Sequence, residues 1–138
     1  MTITTYKRRV NYYETDKMKI VHHTNYVRYF EEARIDFMRQ INCSCSELEA
    51  EGILIPVVDA YARFHKSLKF DDEFYVQVKL DKFNGARMEF SYEIRFSKDD
   101  SLAVTGYTSH CFINEDMKPV SIKRKFPEVY KKMMEFTA

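Results

Sequence analysis

The sequence has no tryptophan and only three glycines, three prolines and three cysteines among its 138 residues. The cysteines are Cys43, Cys45 and Cys111, and an odd number with one Cys-x-Cys pair matches neither a disulfide framework nor a zinc site. We therefore expect reduced thiols. No linker, internal repeat or low-complexity segment interrupts the chain, so we predict a single domain over residues 1–138.

The sequence also lacks a large net charge and a long apolar run. The formal net charge is +1, which argues against nucleic-acid binding driven by the surface field. No apolar stretch approaches the length of a membrane span, and the first residues, M-T-I-T-T-Y-K-R-R, lack the hydrophobic region of a signal peptide. We expect a cytoplasmic protein with no membrane span and no nucleic-acid partner.

A strongly amphipathic segment follows a polar loop near the start of the chain. Apolar residues recur there at steps of three and four, which is the spacing of one buried helix face. They are Tyr26, Phe30, Ala33, Phe37 and Ile41. Thr24 or Asn25 can supply the N-cap oxygen, so the pattern predicts a helix over residues 25–41.

Most of the remaining chain alternates with a period of two, which is typical of strands. We predict strands at 4–13, 55–66, 74–83, 87–97 and 102–113, with Asn84-Gly85 as a hairpin turn, and a short terminal helix at 126–136. Because helices and strands do not alternate, a parallel sheet is not expected. The order predicts an α+β fold in which a five-stranded antiparallel sheet curls around the long helix.

Asp16 lies in the polar loop that leads into this helix. A carboxylate near a helix N-terminus, where free backbone N–H groups gather, is suited to attack on a polarised carbonyl. An Asp in a loop can equally serve only as a turn residue or cap.

Three short segments carry a resemblance to a known family. They are Y-E-T-D at 13–16, V-H-H-T-N-Y at 21–26 and F-E-E-A-R at 30–34. Together they resemble the signature of acyl-CoA thioesterases of the 4-hydroxybenzoyl-CoA thioesterase type, and the later strand pattern fits as well. The resemblance covers nearly the whole chain. It implies the hotdog fold, a homodimer or homotetramer joined along sheet edges, and active sites at the dimer interface.

The same resemblance implies roles for individual residues. Asp16 matches the catalytic carboxylate, which would attack the thioester directly or activate a water. The backbone N–H of His23 matches the oxyanion donor. Glu31 and Tyr26 are candidate substrate-binding residues on the helix, although Glu31 and Arg34, three positions apart, could equally form only a surface pair. Apart from the resemblance, Arg87 is the first choice among the basic residues that could hold CoA phosphates, because it follows the Asn84-Gly85 turn.

Two features of the loop bear on this interpretation. Lys19 stands where the family commonly has glycine, which would permit a positive φ, so we expect an altered loop geometry. Adjacent histidines in extended chain diverge, and no ligand partner stands at a suitable spacing from His22 and His23, so we expect no metal and no cofactor.

The sequence therefore predicts an acyl-CoA thioesterase, and two rivals stay open. One is a hydratase or dehydratase on the same fold, in which an Asp–His pair handles water and an enoyl thioester. The other is a non-catalytic binder of acyl-CoA or of an acyl carrier. Fold alone does not separate them.

Overall fold

The computed structural model describes residues 2–138, which form one antiparallel sheet and four α-helices. In chain order the elements are β1 Tyr6–Arg9, a 3-10 turn Tyr12–Glu14, α1 Asn25–Gln40, α2 Cys45–Ala50, β2 Val57–Phe64, β3 Glu73–Phe83, β4 Arg87–Phe96, β5 Leu102–Cys111, α3 Ile122–Lys125 and α4 Pro127–Glu135. The strand order is β1-β3-β4-β5-β2, and every neighbouring pair is antiparallel. The predicted α+β class and five-stranded sheet are confirmed.

Helix α1 packs on the sheet through the predicted apolar face. Tyr26, Phe30, Ala33 and Phe37 are each at most 4% exposed. Phe30 stacks on Tyr92 of β4 with ring centroids 4.5 Å apart. The Phe30 ring also lies against Gly106 of β5. A Cβ at position 106 would be only 2.1 Å from this ring. The glycine is therefore what lets the helix approach the sheet at this point.

The predicted hairpin at 74–83 and 87–97 is also confirmed, as β3 and β4. The Asn84 side chain closes it, because its Oδ1 accepts hydrogen bonds from the N–H groups of Ala86 at 2.9 Å and Arg87 at 2.8 Å. Gly85 takes the left-handed conformation with φ of 87°. The terminal helix at 126–136 is present as α4, and the short α3 before it was not predicted.

The first strand is shorter than predicted. The predicted strand covers residues 4–13, but β1 ends at Arg9 and Tyr12 is 76% exposed. The chain turns because the Glu14 carboxylate accepts the N–H of Asn11 at 2.8 Å, which favours a 3-10 turn over continued pairing.

Strand β2 is an edge strand that buries no residue, although its sequence alternates like a half-buried strand. Four large hydrophobic side chains on it are about half exposed: Val57, Val58, Tyr61 and Phe64. An exposed apolar edge of this length is a template for pairing with another chain. In residues 2–138, no helix has both the length and the apolar character needed to cross a membrane.

Candidate active site

The Asp16 loop is a tight turn closed by a bridge between Thr15 and Val21. The backbone N–H of Asp16 donates to the Ile20 carbonyl at 2.9 Å. Oδ1 of the Asp16 side chain accepts the N–H of Met18 at 2.8 Å. Its other carboxylate oxygen makes no hydrogen bond to residues 2–138. Asp16 is half-buried, so this oxygen can be reached by a ligand. Asp16 does serve as a turn residue, and it keeps one carboxylate oxygen available.

Lys19 adopts the left-handed backbone conformation that glycine, the residue common in the family at this position, would allow. Its φ is 64°, and its N–H donates to the Asp16 carbonyl at 2.9 Å. We expected lysine to alter the loop geometry. The left-handed turn is present nonetheless, and the lysine takes the steric cost of this conformation.

The N-terminus of α1 has no side-chain cap, which differs from the prediction for Thr24 and Asn25. Thr24 is already helical, and its Oγ1 is hydrogen-bonded to Nδ1 of His22 at 2.8 Å instead. Asn25 is buried and donates from its side chain to the Glu14 carbonyl at 2.9 Å. The N–H of His23 has no acceptor within the described part of the chain, so a free donor remains just before the helix.

The two histidine rings do not diverge as we expected. His22 and His23 stack with centroids 4.4 Å apart, because the chain turns into the helix here and is not extended. The imidazole of His23 is exposed and forms no hydrogen bond to Asp16. Within residues 2–138, no three His, Cys, Asp or Glu side chains are grouped so that they could hold a metal ion.

Glu14 is a buried carboxylate that the sequence interpretation missed. It is 4% exposed, and both its oxygens accept hydrogen bonds from Arg8, at 2.9 and 2.7 Å. Arg8 also contacts Glu32 of α1 at 3.1 Å and lies over the Tyr29 ring. The Glu14 carbonyl accepts the N–H of His22 at 2.8 Å as well as the Asn25 side chain. This cluster joins β1, the loop and the start of α1, so it holds the Asp16 loop against the helix.

Tyr26 forms the wall between the Asp16 loop and β2. It is 3% exposed, its ring lies 5.2 Å from that of Phe64, and its hydroxyl accepts the N–H of Leu68 at 3.3 Å. Burial raises the pKa of the Tyr26 hydroxyl, and the carboxylates of Asp16 and Asp72 raise it further. Tyr26 is therefore a neutral wall residue near Asp16.

Glu31 and Arg34 share a pocket further along α1 and form no ion pair with each other. Glu31 is exposed at its rim, and Arg34 is only 8% exposed. Arg34 was considered only as a surface partner of Glu31. Its burial could not be predicted, because it results from contact with β4.

Arg87 is not near Asp16 in the same protomer. Arg87 is the first residue of β4, and the Asp16 loop lies beyond the opposite end of that strand. Ile20 of the loop bridges to Lys69, which precedes β3, and the start of β3 at Phe74 pairs with the end of β4 at Phe96. Nine strand residues at about 3.4 Å each separate the two ends by roughly 30 Å. Arg87 can therefore serve a site at Asp16 only from another subunit.

Comparison with known proteins assigns this chain to a family. The model of the thioesterase-like superfamily matches residues 10–135, which include the Asp16 loop, α1 and the whole of strands β2 to β5. The chain belongs to the thioesterase-like superfamily.

Several members of the superfamily are similar over most of their length. A protein of Aquifex aeolicus, provisionally named an esterase, is 39% identical over 126 residues, which is 91% of this chain and 96% of the relative. A protein of Bacillus subtilis, provisionally named an acyl-CoA thioesterase, is 31% identical and covers 86% of each chain. The crystal structure of a DHNA-CoA thioesterase from Staphylococcus aureus superimposes with a TM-score of 0.92 at 32% identity, covering 96% of this chain and 89% of that one. The hotdog fold predicted from the resemblance is therefore confirmed.

Proposed function

We propose that this thioesterase-family enzyme hydrolyses acyl-CoA to a carboxylic acid and free CoA, with Asp16 as nucleophile or general base. The observation that carries the proposal is the free N–H of His23 at an uncapped helix start, two residues after the bridge that closes the Asp16 loop. A free N–H donor at a helix start and an accessible carboxylate in the loop that leads into it are the two groups that thioester hydrolysis needs. The names of relatives, which include acyl-CoA thioesterases, support the substrate class.

Two routes use the same residues. In the first, the free Asp16 oxygen attacks the thioester carbon, the C–S bond breaks to release CoA thiolate, and water hydrolyses the resulting mixed anhydride. In the second, Asp16 takes a proton from a water, whose oxygen attacks the carbon before the same bond breaks. In both, the carbonyl oxygen becomes negative and accepts the His23 N–H. The imidazole of His23 takes no part in either route, and the absence of a hydrogen bond between it and Asp16 does not favour the hydratase alternative.

We further infer that the working unit is a homodimer joined along β2. The half-exposed Val57, Val58, Tyr61 and Phe64 support this, because a second copy would cover them. Two-fold pairing of β2 with itself brings the Val57 end of one protomer beside the Phe64 end of the other. The Asp16 loop of one protomer would then lie close to Glu31 and Arg87 of its partner.

Replacing Asp16 with Asn tests the chemistry. The variant keeps the size of the side chain and its turn hydrogen bond but loses the basic oxygen. We expect kcat for acyl-CoA hydrolysis to fall by at least about a hundredfold, while acyl-CoA affinity changes little. Release of free CoA can be followed with a thiol reagent, and binding by calorimetry.

The matched control is Asp81→Asn, since Asp81 lies on β3 away from the loop and should leave kcat unchanged. Hydrolysis by Asp16→Asn within a few-fold of wild type would contradict the mechanism. Binding of acyl-CoA by both proteins with hydrolysis by neither would establish the non-catalytic binder.

A further inference from the structure

The His22 side chain takes no part in the proposed reaction, yet it bonds across the residue that carries the oxyanion donor. Its Nδ1 lies 2.8 Å from Thr24 Oγ1 and accepts the backbone N–H of Thr24 at 3.3 Å. A backbone N–H can only donate, so Nδ1 carries no hydrogen and the Thr24 hydroxyl donates to it as well. The imidazole of His22 therefore connects residues 22 and 24, with His23 between them.

The backbone of His22 is held at both of its polar groups. Its N–H donates to the Glu14 carbonyl at 2.8 Å, and its carbonyl accepts the N–H of Asn25 at 2.9 Å. The His22 carbonyl and the His23 N–H belong to one planar trans peptide, in which they point in opposite directions. Because the carbonyl points to the start of α1, the His23 N–H points away from the helix backbone and stays free.

The bond from Thr24 N–H to His22 Nδ1 takes the place of an N-cap at the start of α1, where Thr24 supplies none. A side-chain acceptor bonded to the N–H two residues on is the bond that asparagine makes in an Asx-turn. The ring of atoms closed by this bond includes the peptide between His22 and His23. The His22 side chain therefore restrains the same peptide that carries the free donor.

The imidazole of His22 makes a second contact, because it stacks on the His23 ring with centroids 4.4 Å apart. Any aromatic ring can stack in this way, whereas only an acceptor atom can hold the Thr24 N–H. Substitutions can therefore separate the two contacts.

We propose that His22 is a positioning residue, whose Nδ1 holds Thr24 and so fixes the direction of the His23 N–H towards the oxyanion. This inference rests on the proposed function of Asp16 and the His23 N–H. An oxyanion donor lowers the barrier only if it already points at the place where the negative charge develops. Loss of the restraint should therefore lower kcat, while KM changes much less.

Three substitutions of His22 test the role of the acceptor atom. His22→Asn keeps an acceptor near the place of Nδ1, His22→Leu has nearly the same shape as His22→Asn without the acceptor, and His22→Phe keeps only a ring that can stack. We expect kcat for acyl-CoA hydrolysis to fall at least about fivefold in His22→Leu and His22→Phe, because complete loss of an oxyanion donor costs about a hundredfold or more and a loosened turn keeps part of its effect. In His22→Asn, kcat should stay within about twofold of wild type, and KM should stay within about twofold in all three.

Asn114→Ala is the matched control. Asn114 Oδ1 accepts the N–H of Asp116 at 2.9 Å, which is the same kind of bond in the turn that follows β5. Its loss should leave kcat unchanged. Circular dichroism shows which variants are folded, and if His22→Phe does not fold, the comparison of His22→Asn with His22→Leu decides the matter.

Several outcomes overturn the inference. They are equal kcat in His22→Asn and His22→Leu, activity kept only by His22→Phe, a rise of KM in place of a fall of kcat, and unfolding of both His22→Asn and His22→Leu, which would make His22 a residue of stability alone. Each of these leaves the proposed function standing if wild type hydrolyses acyl-CoA and Asp16→Asn does not. If wild type hydrolyses no thioester, the proposed function fails first and this inference fails with it.

Discussion

Lys19 shows how one residue can depart from a family pattern without changing the loop. Its φ of 64° and its hydrogen bond to the Asp16 carbonyl show that the backbone, and not the side chain, determines this turn. The bridge between Thr15 and Val21 closes the loop on both sides, so residue 19 must take the left-handed conformation. A residue with a Cβ pays about 1–2 kcal/mol there.

Replacing Lys19 with Gly should therefore stabilise the protein. We expect the free energy of unfolding to rise by about 1 kcal/mol, because the relief of strain exceeds the added entropy of glycine in the unfolded chain. Urea denaturation followed by circular dichroism measures the change.

Lys17→Gly is the control in the same loop. Lys17 is not in the left-handed region, so this variant should lose about 0.5–1 kcal/mol through chain entropy alone. A Lys19→Gly protein less stable than wild type would show that the lysine side chain makes a contribution larger than the strain.

Strand β5 carries an unusual run of buried polar side chains, Thr108, Ser109 and His110. Ser109 donates to Asp59 of the neighbouring β2 at 3.0 Å, and Thr108 and His110 bond to each other beneath Arg34. Burial of His110 in its neutral form makes this strand sensitive to acid, because protonation would place a second positive charge beside Arg34.

The pH dependence of stability tests this property of β5. The pKa of His110 is about 4 in the folded protein, below its ordinary value of 6.5, so the unfolded chain binds more protons between these values. Stability should fall as the pH falls from 6.5 towards 4. The His110→Gln variant should show a smaller fall, measured as the urea midpoint at several pH values.

His65→Gln provides the comparison, because His65 is exposed and its removal should leave the pH profile of wild type. Equal loss of stability in wild type and His110→Gln on acidification would assign the acid sensitivity to other groups.

At the scale of the whole molecule, the two edges of the sheet differ. The β1 edge is only four residues long, whereas β2 has eight residues and no buried side chain. Within one protomer Arg87 and Asp16 lie at opposite ends of the sheet, so the two residues could meet only if two copies of the chain assembled.

Placing a charge in the middle of β2 tests the assembly. Near a two-fold axis, the lysines of Tyr61→Lys would approach their own copies, and like charges across strands are destabilising. We expect light scattering to give a dimer or tetramer for wild type and a monomer for Tyr61→Lys, with loss of acyl-CoA hydrolysis.

Met134→Lys adds the same charge on the exposed part of α4 and should leave the molar mass unchanged. A Tyr61→Lys protein that keeps the wild-type mass would place the subunit contact elsewhere.

The elements that the sequence determined by itself are those whose signal is local. The three- and four-residue spacing of α1 and the Asn84-Gly85 turn each depend on neighbours within one or two turns of chain, so both were predicted at their observed places. The Y-E-T-D and F-E-E-A-R segments likewise indicated the family, because they are read along the chain.

The burial of polar and edge residues was decided only by the tertiary structure. Glu14 is buried because Arg8 of β1 reaches it, and Arg34 because it meets Tyr92, 58 positions away in sequence. Strand β2 alternates like a half-buried strand, yet it lies at the edge of the sheet and none of its residues is buried. Periodicity shows which residues share a face, but what covers that face depends on contacts between distant segments, which no local pattern records.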